Sequence, residues 1–134
     1  MKILAIDQST TSTSGFLFDT DGPADAARIF HRDHRQHYPA PGHVEHDPAE
    51  ILTDLRAAMA AGRAAGADAL ALTNQGESCL AWDAETRAPL SPILVWQDNR
   101  TEAFCKALAT DHADTIRTRA GLPVEPYFSA PKMR

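Results

Sequence analysis

The order of apolar and polar segments constrains the fold of this chain more than any other feature. Residues 2–7 and 15–19 are short apolar runs joined by a polar turn, and residues 27–36 form a third, more polar run. A long helical pattern and another apolar run, at 67–74, come next. Three antiparallel strands, a crossover helix and a parallel strand would produce this order. The pattern therefore predicts an α/β domain with a mixed sheet.

The helix has clear start and stop signals. Asp47 is suited to cap it, Pro48 fits the first helical position, and Glu50 lies three residues after the cap. We expect the helix to run to about residue 65, because Gly66 is a natural stop. Its apolar stripe, which is predicted to face the core, consists of Ile51, Leu52, Leu55, Met59 and Gly62.

The rest of the chain has weaker patterns. Residues 38–48 contain three prolines and a glycine, so they are expected to be irregular. Residues 78–83 and 92–98 look like short extended segments, while 100–109 and 111–119 are predicted to form two further helices. The remaining residues, up to the end of the sequence, are expected to be loop-like.

Composition limits the kinds of partner. The chain has 134 residues, 43% of them hydrophobic, which is enough for one compact domain. A net charge of −5 disfavours nonspecific nucleic-acid binding. No run approaches the roughly 20 apolar residues that cross a bilayer. With only Cys79 and Cys105, a disulfide framework is not expected. We therefore expect a cytoplasmic protein with no membrane or nucleic-acid partner.

Residues 7–14 (DQSTTSTS) hold the densest cluster of hydroxyl side chains in the sequence. Because the cluster lies between two predicted strands, we expect a tight hairpin that presents backbone N–H and side-chain O–H groups together. Several donors at short range suit phosphate oxygens. Asp7, at the end of the first strand, could bind Mg²⁺ directly or through water. A solvated Ser/Thr turn is the alternative interpretation.

A second polar segment, residues 73–77 (TNQGE), follows the apolar run at 67–74. Ligands of α/β sheets collect at the carboxyl ends of strands, which makes this segment a candidate site with Glu77 as the charged acceptor. An ordinary turn is the alternative. Trp96 and Tyr127 are aromatic residues in two other segments of the sequence. Either ring could line a pocket or belong to the core.

Histidines recur at intervals of three residues, at His31, His34 and His37. In a strand this spacing alternates faces, so the three side chains would not converge on a metal ion. His43 and His46 lie in a loop and are assigned a loop-fixing role. A metal site built from histidines is therefore not predicted.

Four blocks of sequence together carry a family resemblance. They are ILAIDQSTTSTSGFLFD, QHYPAPGHVEHDPAEI, LALTNQGESCLAWDAETRAPLSPILVWQDNRT and AGLPVEPYFSAPKMR. In content and order they resemble the N-terminal part of the FGGY carbohydrate kinases, and the glycerol kinase branch most closely. The resemblance implies the N-terminal portion of a ribonuclease-H-like, actin-like ATPase domain. It also implies ATP-dependent phosphorylation of a polyol or sugar hydroxyl.

The resemblance implies a nucleotide site in the hydroxyl-rich loop. Thr10, Thr11 and Ser12 would contact the phosphates of ATP, and Asp7 would lie near Mg²⁺. The general base of the family lies beyond residue 134, so the chain is expected to be an inactive fragment of a larger enzyme. A homodimer or tetramer is expected of the full-length protein.

The resemblance also implies a substrate site. Glu77 would accept bonds from substrate hydroxyls, Trp96 would form an apolar wall, and Tyr127 would bind a further hydroxyl. Gly76 stands where glycerol kinases have an arginine. Loss of that charged donor would cost about 1.5–3 kcal/mol and leave room for a longer polyol or a pentulose.

Other positions also depart from the family pattern. Ser9 replaces a glycine, Ser14 an arginine and His43 a tryptophan. These departures keep a noncatalytic nucleotide- or polyol-binding module open as an alternative. A metal-dependent nuclease using Asp7 and Glu77 is a third interpretation, which the net charge of −5 disfavours.

Overall fold

A computed structural model describes residues 1–23 and 25–134. The elements in chain order are β1 (Lys2–Gln8), β2 (Ser12–Asp19), β3 (Ala27–Asp33), β4 (Glu45–His46), α1 (Pro48–Ala64), β5 (Ala69–Asn74), β6 (Ile93–Leu94), α2 (Glu102–Ala120) and α3 (Ser129–Lys132). They fall into two compact units. The first unit comprises Met1–Gln36 and His46–Gln75, and the second comprises His37–Glu45 and Gly76–Arg134.

The first unit contains a four-stranded sheet in the order β3-β2-β1-β5. β1 pairs antiparallel with β2 and parallel with β5, and β2 pairs antiparallel with β3. The predicted mixed sheet is therefore confirmed. In this register Asp7 of β1 lies between Ser14 of β2 and Thr73 of β5. The carboxyl ends of the two parallel strands, β1 and β5, thus lie side by side at the same end of the sheet.

Helix α1 begins as the sequence predicts, since the Asp47 side chain accepts a 2.7 Å hydrogen bond from the Ala49 amide. Its predicted apolar stripe is partly wrong. Leu52 and Met59 are both 46% exposed, and the buried positions are Ile51, Asp54, Ala58 and Gly62.

Close packing on β1 explains the orientation of α1. A Cβ placed on Gly62 would lie only 2.4 Å from Leu4 Cδ2. Ala58 is fully buried beside Leu4 and Ile6 in the hydrophobic core. The helix therefore turns its small residues toward the sheet, and two of its larger apolar side chains face outward.

The strand expected to be buried at 67–74 is instead an exposed edge strand. Every residue of β5 is exposed, including Leu70 at 49% and Leu72 at 58%. Within the described residues β5 pairs with β1 and has no strand on its other side. The contacts that α1 makes with the sheet are concentrated on β1, β2 and β3. A run of apolar residues does not by itself show whether a helix or a second sheet covers the strand that it forms.

The second unit contains one long helix where two were predicted. α2 runs unbroken over Glu102–Ala120 and ends at Gly121, which has a φ of 71°. Thr110, at the expected break, donates its hydroxyl to the Lys106 carbonyl at 3.2 Å, which is compatible with a helix interior. The span contains no proline or glycine that would interrupt it.

The short elements also differ from expectation. Of the predicted extended segments only β6 and bridges at Cys79–Leu94 and Trp82–Pro89 form. β4 lies within the segment expected to be irregular, α3 within the loop-like end, and β3 stops at Asp33 rather than near residue 36. Among the described residues, no helix has both the length and the apolar character required to cross a membrane.

Candidate functional site

The turn between β1 and β2 forms the tight hairpin that the sequence predicts. The Ser9 amide donates to the Ser12 carbonyl at 2.9 Å, which closes the turn. Thr11 is exposed, and Thr10 and Ser12 are half-buried. The three residues expected to contact phosphate thus lie together in one turn at the edge of the sheet.

The hydroxyl-rich run does not form a single cluster, however. Thr13 is fully buried, and its Oγ1 lies 2.7 Å from Nε2 of His34. Ser14 is also buried, and its Oγ lies 2.9 Å from Nδ1 of His31. Because successive side chains of a strand point to opposite faces, Thr13 and Ser14 connect β2 to β3 and the residues after it on the two faces of the sheet. Only residues 9–11 of the run lie between the two strands, and Ser12 is the first residue of β2.

Asp7 lies at the carboxyl end of β1 and is half-buried. The Ser9 hydroxyl donates to Asp7 Oδ2 at 2.7 Å, so the serine that replaces the family glycine orients the carboxylate. Mg²⁺ in phosphate sites is often held by one or two carboxylates, with phosphates and water completing the shell. A single carboxylate beside a donor-rich turn fits that donor set. No group of three or more His, Cys, Asp or Glu side chains suited to a metal occurs among residues 1–23 and 25–134.

A buried polar layer in the first unit was missed by sequence reasoning. His34, whose side chain is only 1% exposed, lies 3.9 Å from Asp54 Oδ2, and its ring packs edge-on against His46 at 5.7 Å. Arg32 Nη1 donates to Asp54 Oδ1 at 2.7 Å. Burial lowers the pKa of His34, against the opposing effect of Asp54. The sequence feature that could have indicated this layer is Asp54, an acidic residue within the predicted helix, which the structure places on the buried face of α1.

Glu77 is held in a defined position in the second unit. The backbone N–H and the hydroxyl of Ser129 both donate to Glu77 Oε2 at 2.6 Å. These bonds lower the pKa of Glu77, so its carboxylate stays ionised at neutral pH. Among the described contacts both bonds use Oε2, which leaves Oε1 available to a hydroxyl donor. Glu77 has a φ of 60°, a conformation uncommon outside glycine.

Trp96 and Tyr127 form an aromatic wall in the same unit. Their ring centroids are 5.8 Å apart at an interplanar angle of 61°, and Tyr127 makes a second edge contact with Phe128 at 5.1 Å. The Trp96 amide donates to Ser78 Oγ at 3.1 Å. Since Ser78 directly follows Glu77, this bond connects the wall to the segment that carries the carboxylate. Tyr127 is 42% exposed, so its ring is accessible.

Gly76 is exposed, and a Cβ placed there would meet no described atom within 4 Å. It is not among the glycines with positive φ. Neither packing nor backbone conformation therefore requires glycine at this position. The structure leaves space for a larger side chain or a larger ligand beside Glu77.

Comparison with known proteins decides the family. Residues 2–134 match the family model described as the N-terminal domain of the FGGY family of carbohydrate kinases. This chain belongs to the FGGY family. It is 48% identical to a glycerol kinase of Aromatoleum aromaticum over 98% of its own length and 27% of that relative's. A glycerol kinase of Thermus brockianus is 44% identical, with 98% of this chain and 28% of the relative covered.

Solved structures place the FGGY chain in the ribonuclease-H-like, actin-like ATPase fold. A Plasmodium falciparum glycerol kinase with ADP superimposes with a TM-score of 0.87 at 32% identity, covering 98% of this chain and 28% of that one. A Lactobacillus acidophilus xylulose kinase matches with a TM-score of 0.88 at 20% identity, over 98% and 27% respectively, which shows the fold alone. The chain spans little more than a quarter of the length of these relatives.

Sequence reasoning also missed the buried charges that support the second unit of this FGGY chain. Asp98 is fully buried and accepts bonds from the Val44 amide at 2.7 Å and from Arg100 Nε at 2.9 Å. Arg100 also pairs with Glu45. Burial alone would raise the pKa of Asp98, but these donors outweigh it and hold that pKa below its usual value. Isolated Asp and Arg residues in a loop carry no sequence signal for such a cluster.

Proposed function

We propose that residues 1–134 supply the phosphate loop and the hydroxyl-binding site of an ATP-dependent polyol or sugar kinase. The observation that carries this proposal is the Glu77 carboxylate, fixed through Oε2 by Ser129 and connected to the Trp96–Tyr127 wall. A fixed carboxylate beside an aromatic surface suits a molecule with adjacent hydroxyl groups and a C–H face. We also propose that these residues form part of the N-terminal kinase domain that the family model describes.

Glu77 acts in this proposal as an acceptor and not as an acid. Its lowered pKa keeps it ionised at neutral pH, and an ionised carboxylate can only accept hydrogen bonds. Tyr127 adds a phenolic hydroxyl that can donate or accept. The proposal assigns no general base within residues 1–134, so we expect polyol binding without phosphoryl transfer by this chain.

The nucleotide half of the proposal rests on the β1–β2 turn. Thr10, Thr11 and Ser12 would donate to phosphate oxygens, and Asp7 would hold Mg²⁺ directly or through water. The bound cation would neutralise phosphate charge, as in other phosphoryl-transfer enzymes. The hairpin geometry and the ADP complex of the Plasmodium falciparum relative support this assignment. Use of ATP also supports a cytoplasmic location.

The identity of the acceptor depends on Gly76. Its open surroundings favour a polyol longer than glycerol, or a pentulose. The Gly76→Arg variant tests this inference, because an arginine can donate to a substrate hydroxyl. We expect the variant to gain about tenfold or more in affinity for glycerol relative to xylitol, equivalent to about 1.5 kcal/mol. An unchanged preference would overturn the inference about Gly76.

The function is tested by titrating the ¹⁵N-labelled chain with glycerol, xylitol and Mg·ATP while following its amide signals by NMR. We expect polyols to shift the signals of Glu77, Trp96 and Ser129, and Mg·ATP to shift those of Thr10 and Thr11. Glu77→Gln keeps the size of the side chain but removes its charge, and should weaken polyol binding about tenfold or more.

Glu85→Gln is the matched control, because Glu85 is exposed in a turn stabilised by Asp83. It should leave polyol binding unchanged. If no polyol shifts the Glu77 signal, or if both variants bind equally well, the proposed hydroxyl site is wrong. If Mg·ATP shifts no signal in residues 7–12, the phosphate-loop assignment is wrong.

A further inference from the structure

The second unit contains a buried amine that the proposed chemistry does not use. Lys132 is only 8% exposed. Its Nζ donates to the Tyr127 carbonyl at 2.9 Å and to the Trp96 carbonyl at 3.2 Å. An ammonium group withdrawn from water is costly unless hydrogen bonds compensate it. The two carbonyls provide that compensation, and both belong to the residues of the aromatic wall.

The ionisable groups around Lys132 come from several parts of the second unit. Glu77, Asp98, Cys79 and Arg100 all act on it electrostatically. Burial has the largest effect and lowers its pKa, while the Cys79 thiol and the two carboxylates act in the opposite direction. Lys132 therefore keeps its place through directed hydrogen bonds as well as through general charge attraction.

A single helical turn connects Lys132 to the carboxylate of the hydroxyl site. α3 spans only Ser129–Lys132. Its first residue donates twice to Glu77 Oε2, and its last residue donates to the Trp96 and Tyr127 carbonyls. The same turn thus bonds to all three residues to which we assign polyol binding, through the side chain of Glu77 and the backbone of Trp96 and Tyr127.

We propose that Lys132 is a positioning residue that holds the Trp96–Tyr127 wall against the Glu77 carboxylate, and so sets the width of a site for linear polyols. Lys132 does not touch the ligand; it acts through the backbone of the two aromatic residues. The nature of the ligand rests on the proposed function, but the placement of the wall does not.

The test uses the whole 134-residue chain in a Trp82→Phe background, so that Trp96 is the only tryptophan. Trp82 is 62% exposed and takes no part in the site. Lys132→Met removes the donors while keeping an unbranched side chain, and Lys132→Arg keeps a charged donor. Lys106→Met is the control, because Lys106 is 74% exposed and pairs with Glu102 on α2.

In the parent protein we expect ring-to-ring nuclear Overhauser contacts between Trp96 and Tyr127. Lys132→Met should abolish those contacts and move the Trp96 emission to longer wavelength. Lys132→Arg should retain the contacts, and Lys106→Met should change neither signal. If Lys132→Met keeps both the ring contacts and the emission of the parent, the positioning role is overturned.

A measurement on the unsubstituted chain keeps the test decisive if Lys132→Met does not fold. With ¹⁵N-lysine labelling, the ammonium of Lys132 should exchange slowly with solvent and show couplings across its hydrogen bonds to the Trp96 and Tyr127 carbonyls. A rapidly exchanging ammonium without those couplings would contradict the proposal.

Polyol titration separates this inference from the proposed function. We expect Lys132→Met to weaken xylitol binding tenfold or more, and Lys132→Arg to recover most of it. If the parent binds no polyol but the ring contacts depend on Lys132, the proposed function fails and the positioning role stands. If polyol binds but the contacts are independent of Lys132, the positioning role fails and the proposed function stands.

Discussion

The two units of this chain are stabilised in different ways. In the first unit, the backbone ladders of four strands position Asp7 and the β1–β2 turn. In the second unit, regular pairing is limited to short strands and bridges. There the candidate site is held by hydrogen bonds between side chains and backbone groups. Glu77 accepts from the Ser129 amide, Lys132 donates to two backbone carbonyls, and Asp98 accepts from the Val44 amide.

Because the two units are stabilised differently, we expect them to respond differently to single substitutions. A backbone ladder distributes its hydrogen bonds over many residues, so one side chain matters mainly through packing. A loop held by a few buried charged groups concentrates its stability in those groups. The second unit should therefore be the more sensitive to single polar substitutions, and the first unit to changes of volume.

The largest effect is expected at Asp98. Asp98→Asn removes a charge that is fully buried and bonded to Arg100 and Val44, and Arg100 then keeps Glu45 as its charged partner. Breaking a buried pair in this way costs about 3–5 kcal/mol. Amide hydrogen exchange should show lower protection in the second unit, while the strands of the first unit keep theirs.

The control for this prediction is Asp111→Asn, at an exposed position on α2. It should change the unfolding free energy by less than about 0.5 kcal/mol. A loss below about 1 kcal/mol for Asp98→Asn would mean that the second unit does not depend on its buried charges.

A smaller effect is expected in the first unit, at Gly62. Gly62→Ala brings a methyl group against Leu4, at 2.4 Å from its Cδ2 if nothing moves. Overpacking costs about 1–3 kcal/mol, partly offset by about 1 kcal/mol of better helix propensity. Thermal unfolding should therefore show a net loss. Gly76→Ala meets no clash and serves as the control; equal stability of both variants would contradict tight packing of α1 on β1.

The smallest effect concerns pH and the buried polar layer of the first unit. Burial lowers the pKa of His34, so below about pH 6.5 the unfolded chain binds a proton that the folded unit resists. The contribution of His34 to the unfolding free energy should thus be fully present above that pH, and should be lost as the pH falls toward the folded-state pKa. His34→Gln should flatten this decline in urea unfolding followed at pH 7.5 and 5.5.

His112→Gln is the comparison for His34→Gln, because His112 is exposed on α2. It should leave the slope of stability against pH unchanged. If His34→Gln and the parent lose stability equally between the two pH values, the buried layer does not contribute to acid sensitivity.

Much of the fold was predictable because its signals are local. The cap at Asp47, the stop at Gly66 and the three antiparallel strands each depend on a few neighbouring residues. The break expected between the two predicted helices was wrong, since Thr110 satisfies its hydroxyl within α2. The exposure of Leu70 and Leu72 could not be predicted from the sequence either, because burial depends on which elements cover a strand.

The sequence by itself determined the family, the order of the first four long strands and the helix along the chain, and the segments that carry the candidate site. Tertiary structure alone decided that Thr13 and Ser14 bond to histidines, and that Ser129 and Lys132 hold Glu77 and the aromatic wall. The physical reason is range. Periodicity and capping act within a few residues, whereas the bonds to Ser14, Trp96 and Glu77 join residues that are 17, 36 and 52 positions apart along the chain.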